Sequence, residues 1–208
     1  MKRSLLFIAF LSLATLGCRN NDVRRVDAEL SIFASISGKI TCPSTSTPPT
    51  ASIKLVLTAS SGVERTLRPN ANGTFTFNEL DPNLDYTLAV TRAHDPNLNL
   101  SNLNLVEFNQ VMLGNRRIST VLEYLAADSN RDGEVDPTDA LLIRRITLNV
   151  IPNSNLWRFA SKDWINQTNT ATRIGAVGSL TLKNLSGDAV NCDFTMVRIG
   201  DVGLTDCF

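Results

Sequence analysis

The sequence predicts a mainly β protein with a small α module: an N-terminal β-sandwich, then a pair of helices, then a short C-terminal β segment. Three observations predict it. Between residues 31 and 92 apolar residues recur with period two, in short runs separated by turn signals. Between residues 104 and 148 the apolar spacing is that of a helix, twice over. Beyond residue 180 the alternation returns.

Composition sets the outer limits. The chain has 208 residues, 43% of them hydrophobic and 19% charged, which excludes a disordered or collagen-like chain. Its 20 basic and 20 acidic residues cancel. Without Lys2 and Arg3, which fall in a leader segment, 18 face 20, a net charge of −2. No basic excess exists to grip nucleic acid. The single histidine, His94, excludes any scheme built on a histidine cluster, and the counts argue against an enzyme.

Residues 1–17 read as a secretory signal. Lys2 and Arg3 form a charged head, and Leu5 to Leu16 is an apolar stretch too short for a bilayer core that needs roughly 20 residues. Ala14-Thr15-Leu16-Gly17-Cys18 resembles the lipobox of bacterial lipoproteins, although Thr15 stands where leucine is usual. The resemblance implies cleavage before Cys18, lipidation of its thiol, and an exported, membrane-anchored product of 208 − 17 = 191 residues. A plain export signal is the alternative reading, and it too gives an exported chain. Residues 18–30 are polar and suit a tether. Export places Cys42, Cys192 and Cys207 where disulfides persist. Three cysteines cannot all pair within one chain; Cys192 with Cys207 is the preferred pair, and Cys42 is left over.

The sandwich expected over residues 31–92 is built from its strands. Ser31 to Cys42, Ile53 to Leu57, Gly62 to Leu67, Thr74 to Phe77 and Tyr86 to Val90 all alternate, and Asn70 to Gly73 is a turn signal. Phe75, Phe77, Leu80 and Tyr86 are the expected core. The runs Ile36-Ser-Gly38-Lys-Ile40, Asn72-Gly73-Thr-Phe75-Thr-Phe77 and Tyr86-Thr-Leu-Ala-Val90 resemble the carboxypeptidase regulatory-like domain, a small prealbumin-like sandwich. Because Phe75 and Phe77 share one strand face, they read as core rather than as a sugar platform. The domain therefore reads as a spacer or adhesion module.

The sharpest signal runs from Asp128 to Asp139. Asp128, Asn130, Asp132, Asp136 and Asp139 put oxygen donors at loop positions 1, 3, 5, 9 and 12, with Gly133 at the turn position 6 and Val135 at the apolar position 8. Calcium takes six to eight oxygens, and this EF-hand-type spacing wraps a loop around it. Asp128, Asn130, Asp132 and Asp139 would coordinate through side chains, Glu134 through its carbonyl and Asp136 through a water. Asp136 and Pro137 also start a helix, whose Ala140, Ile143 and Ile146 point inward.

Aspartate rather than glutamate at position 12, followed by Ala-Leu-Leu-Ile-Arg-Arg, resembles a dockerin repeat. Dockerins carry two repeats, and the second lies 35 residues upstream: Asn104 to Gly114 aligns with Asp139 to Asn149. The loop before it is degenerate, with Ala93, Asp95 and Asn97 at donor positions and Leu98 in place of the glycine. Ala126-Ala127-Asp128, Trp157-Arg158-Phe159 and Ile199-Gly200-Asp201-Val202, in that order, resemble a dockerin-containing module of Bacteroidetes-type secreted and surface proteins. That module would span residues 93–208. Residues 150 to 173 read as a long ordered connection in which Trp157 and Phe159 anchor onto the helix pair. Asp201 to Asp206 looks like the opening half of a calcium loop and Asn99 to Asn104 like a closing half. The expectation is that they meet, making a split, weak second site at Asn104 and Asp201.

These readings imply a non-catalytic, exported, calcium-binding docking or adhesion module, linked by resemblance to polysaccharide-degrading surface assemblies. The implied partner is a cohesin-like or other surface protein, with Leu142, Arg144 and Arg145 as contact candidates. The alternative is a carbohydrate-binding surface lipoprotein of a glycan-uptake system, with purely structural calcium. Glu79 and Asp81 are the carboxylates a hydrolase would need, and they read as solvated turn residues.

Overall fold

The computed structural model describes residues 18–20, 33–45, 48, 50–93, 100–151, 156–167 and 178–205. The leader, His94, Asp95, Asn97, Leu98, Asn99, Asp206 and Cys207 lie outside them. No helix among the described residues is long and apolar enough to cross a membrane.

Two sheets form a sandwich. The strands are β1 (Arg19–Asn20), β2 (Ala34–Thr41), β3 (Ile53–Ala59), β4 (Glu64–Leu67), β5 (Thr74–Leu80), β6 (Tyr86–Arg92), β7 (Trp157–Ser161), β8 (Ser179–Leu182), β9 (Ala189–Val190) and β10 (Phe194–Arg198). One sheet has the order β1-β9-β2-β10-β7, with β5 also paired to β2; the other runs β4-β3-β6-β8. The helices are α1 (Asn102–Met112), α2 (Val121–Ala127), α3 (Pro137–Thr147) and α4 (Lys162–Gln167).

The expected strands form where the alternation put them, and Phe75, Phe77, Leu80 and Tyr86 are buried. The expected boundary at residue 92 does not divide the sandwich from the C-terminal strands. β8 extends the second sheet by pairing antiparallel with β6, and β10 pairs with both β2 and β7. The physical reason is that β2 and β6 each present a second edge of unpaired backbone groups, and the C-terminal strands satisfy them. A single core therefore mixes Ile36, Phe77 and Leu88 with Phe159, Leu180 and Met196. Gly38 marks the tightest approach: a Cβ there would collide with the carbonyl of Cys192. Glu79, expected in a turn, is on β5, beside a register shift between β2 and β5.

The order expected of the connection takes the form of β7 and α4 among its described residues. All five residues of β7 are buried, because it is covered on both faces. Trp157 and Phe159 belong to the sandwich core rather than packing on the helix pair. The Trp157 ring lies 4.0 Å beneath the Arg92 guanidinium. Arg158, between them, points the opposite way, as strand alternation requires. On that side a second core gathers Phe108, Ala127, Ile143, Ile146, Ile199 and Val202.

Candidate metal centre

The acidic loop is strung between α2 and α3. Asp128 caps the end of α2, donating its amide to the Tyr124 carbonyl at 2.9 Å. Asp136 caps the start of α3, its Oδ1 accepting the Thr138 amide at 2.7 Å, and Pro137 follows in the first turn. Between these fixed ends Arg131 has φ +68° and Gly133 φ +92°, so the chain reverses twice within a few residues. Glycine adopts that conformation without steric cost. The Tyr124 hydroxyl donates to the Gly133 carbonyl at 2.8 Å, pinning the turn to α2. Val135 packs against the helical core, as expected.

The carboxylates differ in environment. Asp128 is fully buried: its Oδ2 accepts from Arg158 Nη1 at 3.2 Å and Nη2 at 3.4 Å, while its Oδ1 is buried with no hydrogen-bond partner. Asp139 is equally buried and organises the loop. Its Oδ1 accepts the amides of Ser129 at 2.7 Å and Asn130 at 3.1 Å, and its Oδ2 accepts that of Asp136 at 2.9 Å. Asp132 and Glu134 are exposed. Asp132 Oδ2 accepts the Asn130 side-chain amide at 2.6 Å, and its Oδ1 accepts the Glu134 amide at 2.9 Å.

Negative potential accumulates here. Burial pushes the Asp139 carboxyl above the usual aspartate range, although the amides of Asp136, Asn130 and Ser129 oppose the shift. Burial, and then the charges of Asp128, Glu134, Asp139 and Asp132, raise the Tyr124 hydroxyl. Burial lowers the Arg158 guanidinium, against the attraction of Asp128. A buried carboxylate oxygen without a donor costs about 1–3 kcal/mol, and Asp128 Oδ1 is such an acceptor. Among the described residues, no three His, Cys, Asp or Glu side chains are gathered as a closed ligand cage. Loading would require Asp132 Oδ2 to give up the Asn130 side-chain amide, and Asn130 Oδ1 the Asp132 backbone amide. The set of hard oxygen donors and the orphaned Asp128 Oδ1 fit a divalent cation such as calcium.

The structure also brings together the two residues expected in the second site. Asn104 and Asp201 are both buried, and Asn104 Nδ2 donates to Asp201 Oδ1 at 3.4 Å. Asn104 Oδ1 accepts the Ser101 amide at 2.8 Å, closing the N-terminal cap of α1 as Asp139 closes that of α3. Leu204, three residues after Asp201, has φ +53°, matching Arg131 three residues after Asp128. The helices end alike too, on Leu113 and Leu148 followed by Gly114 at φ +73° and Asn149 at φ +53°. The aligned segments 104–114 and 139–149 thus form helices capped alike at both ends. Ala93, from the degenerate loop, is exposed.

Of the expected docking residues, Arg144 and Arg145 are exposed, while Leu142 is partly buried against the helical core. The exposed neighbour is Leu141, at 60%. Arg158 and Tyr124, which hold the loop from outside, carried no site signal in the sequence beyond Arg158's place in the Trp-Arg-Phe run.

The cysteines pair differently from expectation. Cys18 is disulfide-bonded to Cys192, which rules out Cys192 pairing with Cys207. Cys42 is disulfide-bonded as well, and no described cysteine is free. The physical reason is proximity: β1 pairs with β9, two residues before Cys192, and brings the two Cα atoms to 4.4 Å. A sulfur in a disulfide has no thiol to lipidate, so lipidation of Cys18 and this bond exclude each other. Neither a comparison with protein-family models nor one with curated proteins finds a match for the chain.

Proposed function

We propose that the chain is a non-catalytic, exported docking or adhesion module whose helical half is stabilised by one calcium ion in the loop 128–139. Asp128, Asn130, Asp132 and Asp139 would hold the ion through side chains and Glu134 through its carbonyl, with Asp136 on a bridging water. The observation that carries the reading is the orphaned, fully buried Oδ1 of Asp128 in a loop of five carboxylates. Calcium when bound supplies positive charge and fixes ligand directions; the residues do the rest. Arg158 holds Asp128 in place from the sandwich, Tyr124 holds the turn, and Asp136 ties the loop to α3.

The helix pair supports the docking part. A groove of about 600 Å³ between α1 and α3 is lined by Leu105, Asn109, Pro137, Ala140, Leu141 and Arg144. Val106 on α1 and Leu113 just past it, and Leu141 on α3 and Leu148 just past it, occupy equivalent positions of the duplication, and all four are exposed. Such a symmetric apolar surface beside Arg144 and Arg145 suits a surface protein of the cohesin type. The sugar-binding alternative has less support: Phe75, Phe77, Trp157 and Phe159 are all interior. Calorimetry of chelator-stripped protein tests the reading. One calcium equivalent bound with a measurable heat supports it, and no heat together with an unmoved melting temperature removes it.

A further inference from the structure

We infer that the mature chain begins at Cys18 as a non-lipidated amino terminus, linked to Cys192 by the disulfide and to Asp163 by an ammonium–carboxylate pair, and is therefore not membrane-anchored through Cys18. This inference is independent of the calcium reading. Three observations meet at one residue. The Cys18 sulfur is bonded to the fully buried Cys192, whose own amide donates to the Ser37 carbonyl at 3.0 Å. The Cys18 backbone nitrogen donates to Asp163 Oδ1 at 2.9 Å, across 145 residues of sequence. Arg19 and Asn20 then run antiparallel to Val190 and Ala189, so the chain enters the sheet immediately after Cys18. Both atoms that a lipoprotein anchor would modify, the sulfur and the nitrogen, are thus used to dock the segment onto the fold.

The leader fits the same cut. Thr15 and Gly17 place small residues three and one before the Gly17–Cys18 bond, as export cleavage requires. Hydrolysis adds water across that bond, leaving a carboxylate on Gly17 and an ammonium on Cys18. A neutral amide donor facing Asp163 becomes a charged one, which strengthens the hydrogen bond. Disulfide formation removes two protons and two electrons from the thiols of Cys18 and Cys192, delivered to a disulfide-bearing oxidant of the export compartment.

The test expresses the full 208-residue chain in a Gram-negative host with an oxidising periplasm and purifies it without reduction. Intact mass should equal residues 18–208 without acyl chains. A non-reducing digest should yield Cys18 and Cys192 peptides joined, and detergent phase separation should leave the protein in the aqueous phase. An acyl mass on Cys18, partition into detergent, alkylation of Cys192 without reduction, or retention of residues 1–17 would each overturn the inference. A second arm reads the ammonium directly. Asp163→Asn should raise the rate at which an amine-selective reagent labels Cys18 several-fold, because the unpaired amine loses its proton more easily. An amine that resists labelling in both proteins, or labels at the same rate in both, overturns the pairing.

Discussion

Replacing Asp132 with asparagine would separate the proposed calcium binding from folding, because Asp132 is exposed whereas Asp128 and Asp139 are buried. Without calcium the loss is small. Asparagine keeps an oxygen for the Glu134 amide and loses one acceptor for Asn130, a matter of about 0.5–1 kcal/mol. With calcium the loss is larger. A unit charge about 2.4 Å from a divalent ion contributes about 3 kcal/mol even at the dielectric constant of water, roughly two decades of affinity. At a calcium concentration a hundredfold above the wild-type Kd, binding stabilises the native state by about 2.7 kcal/mol. For a chain of this size that is a rise in melting temperature of about 5–11 °C. The same concentration would then lie near the variant's Kd, where the gain is about 0.4 kcal/mol, or about 1 °C. Thermal unfolding followed by circular dichroism, in chelator and then in calcium, measures both. Equal rises in the two proteins would refute the ligand role of Asp132, and no rise in the wild type would refute the site.

Three further outcomes rest on neighbouring contacts. Arg158→Met leaves Asp128 buried with neither oxygen paired to a side-chain cation and should cost about 3–5 kcal/mol in chelator, by urea denaturation, with calcium restoring part of it. Glu123 lies between Arg116 and the cap of α2; burial is the largest single influence and raises its carboxyl, but the hydrogen bonds from Ser119, Thr120 and Arg116 together hold it below the usual glutamate range. Its folded value is therefore below its unfolded one, so its contribution is present above about pH 4.5 and is lost as pH falls through the folded value; Glu123→Gln should flatten that acid limb of the stability curve. The double substitution Val106→Glu and Leu141→Glu, both on exposed positions, should change the melting temperature by less than about 2 °C while abolishing capture of a cohesin-type surface protein in a pull-down.

Sequence periodicity located the elements well, because period two and period 3.6 are local properties that each segment expresses by itself. Ile53, Leu55 and Leu57 alternate whether or not β6 is known, and Ile143 and Ile146 mark a helix face before α1 is found. The donor spacing and Gly133 were equally local, so the loop could be read from the run Asp128 to Asp139 alone. What escaped was pairing across long separations. Nothing in Leu180-Thr-Leu says that it lies beside Tyr86-Thr-Leu, or that Phe194 sits opposite Ile40. The same blindness hid Arg158 as the counterion of Asp128, 30 residues away, and joined Cys192 to the wrong cysteine. Loop closure over such distances costs little extra free energy per added residue, so sequence separation is a poor guide to which edges meet.

The misplaced domain boundary has a consequence for how the loop is supported. In a free-standing helical module the loop 128–139 would be held only by its own helices. Here Arg158 comes from β7, whose flanking Trp157 and Phe159 are locked into the sandwich core, so the side chain that neutralises Asp128 is positioned by the β half of the molecule. Asp201, three residues beyond β10, is brought to Asn104 by the same sheet, because β10 pairs with β7 from Phe194 to Arg198. Both acidic residues at the heads of the duplicated loops thus take their partners across the seam between sheet and helices. At the intact loop the partner is an arginine that leaves one oxygen unsatisfied; at the split one Asp201 Oδ1 accepts from the Asn104 amide and from the Thr205 hydroxyl. The first arrangement retains a demand for positive charge and the second has largely satisfied it by hydrogen bonding. On the proposed reading, that difference would make the loop at Asp128 the stronger cation site of the two.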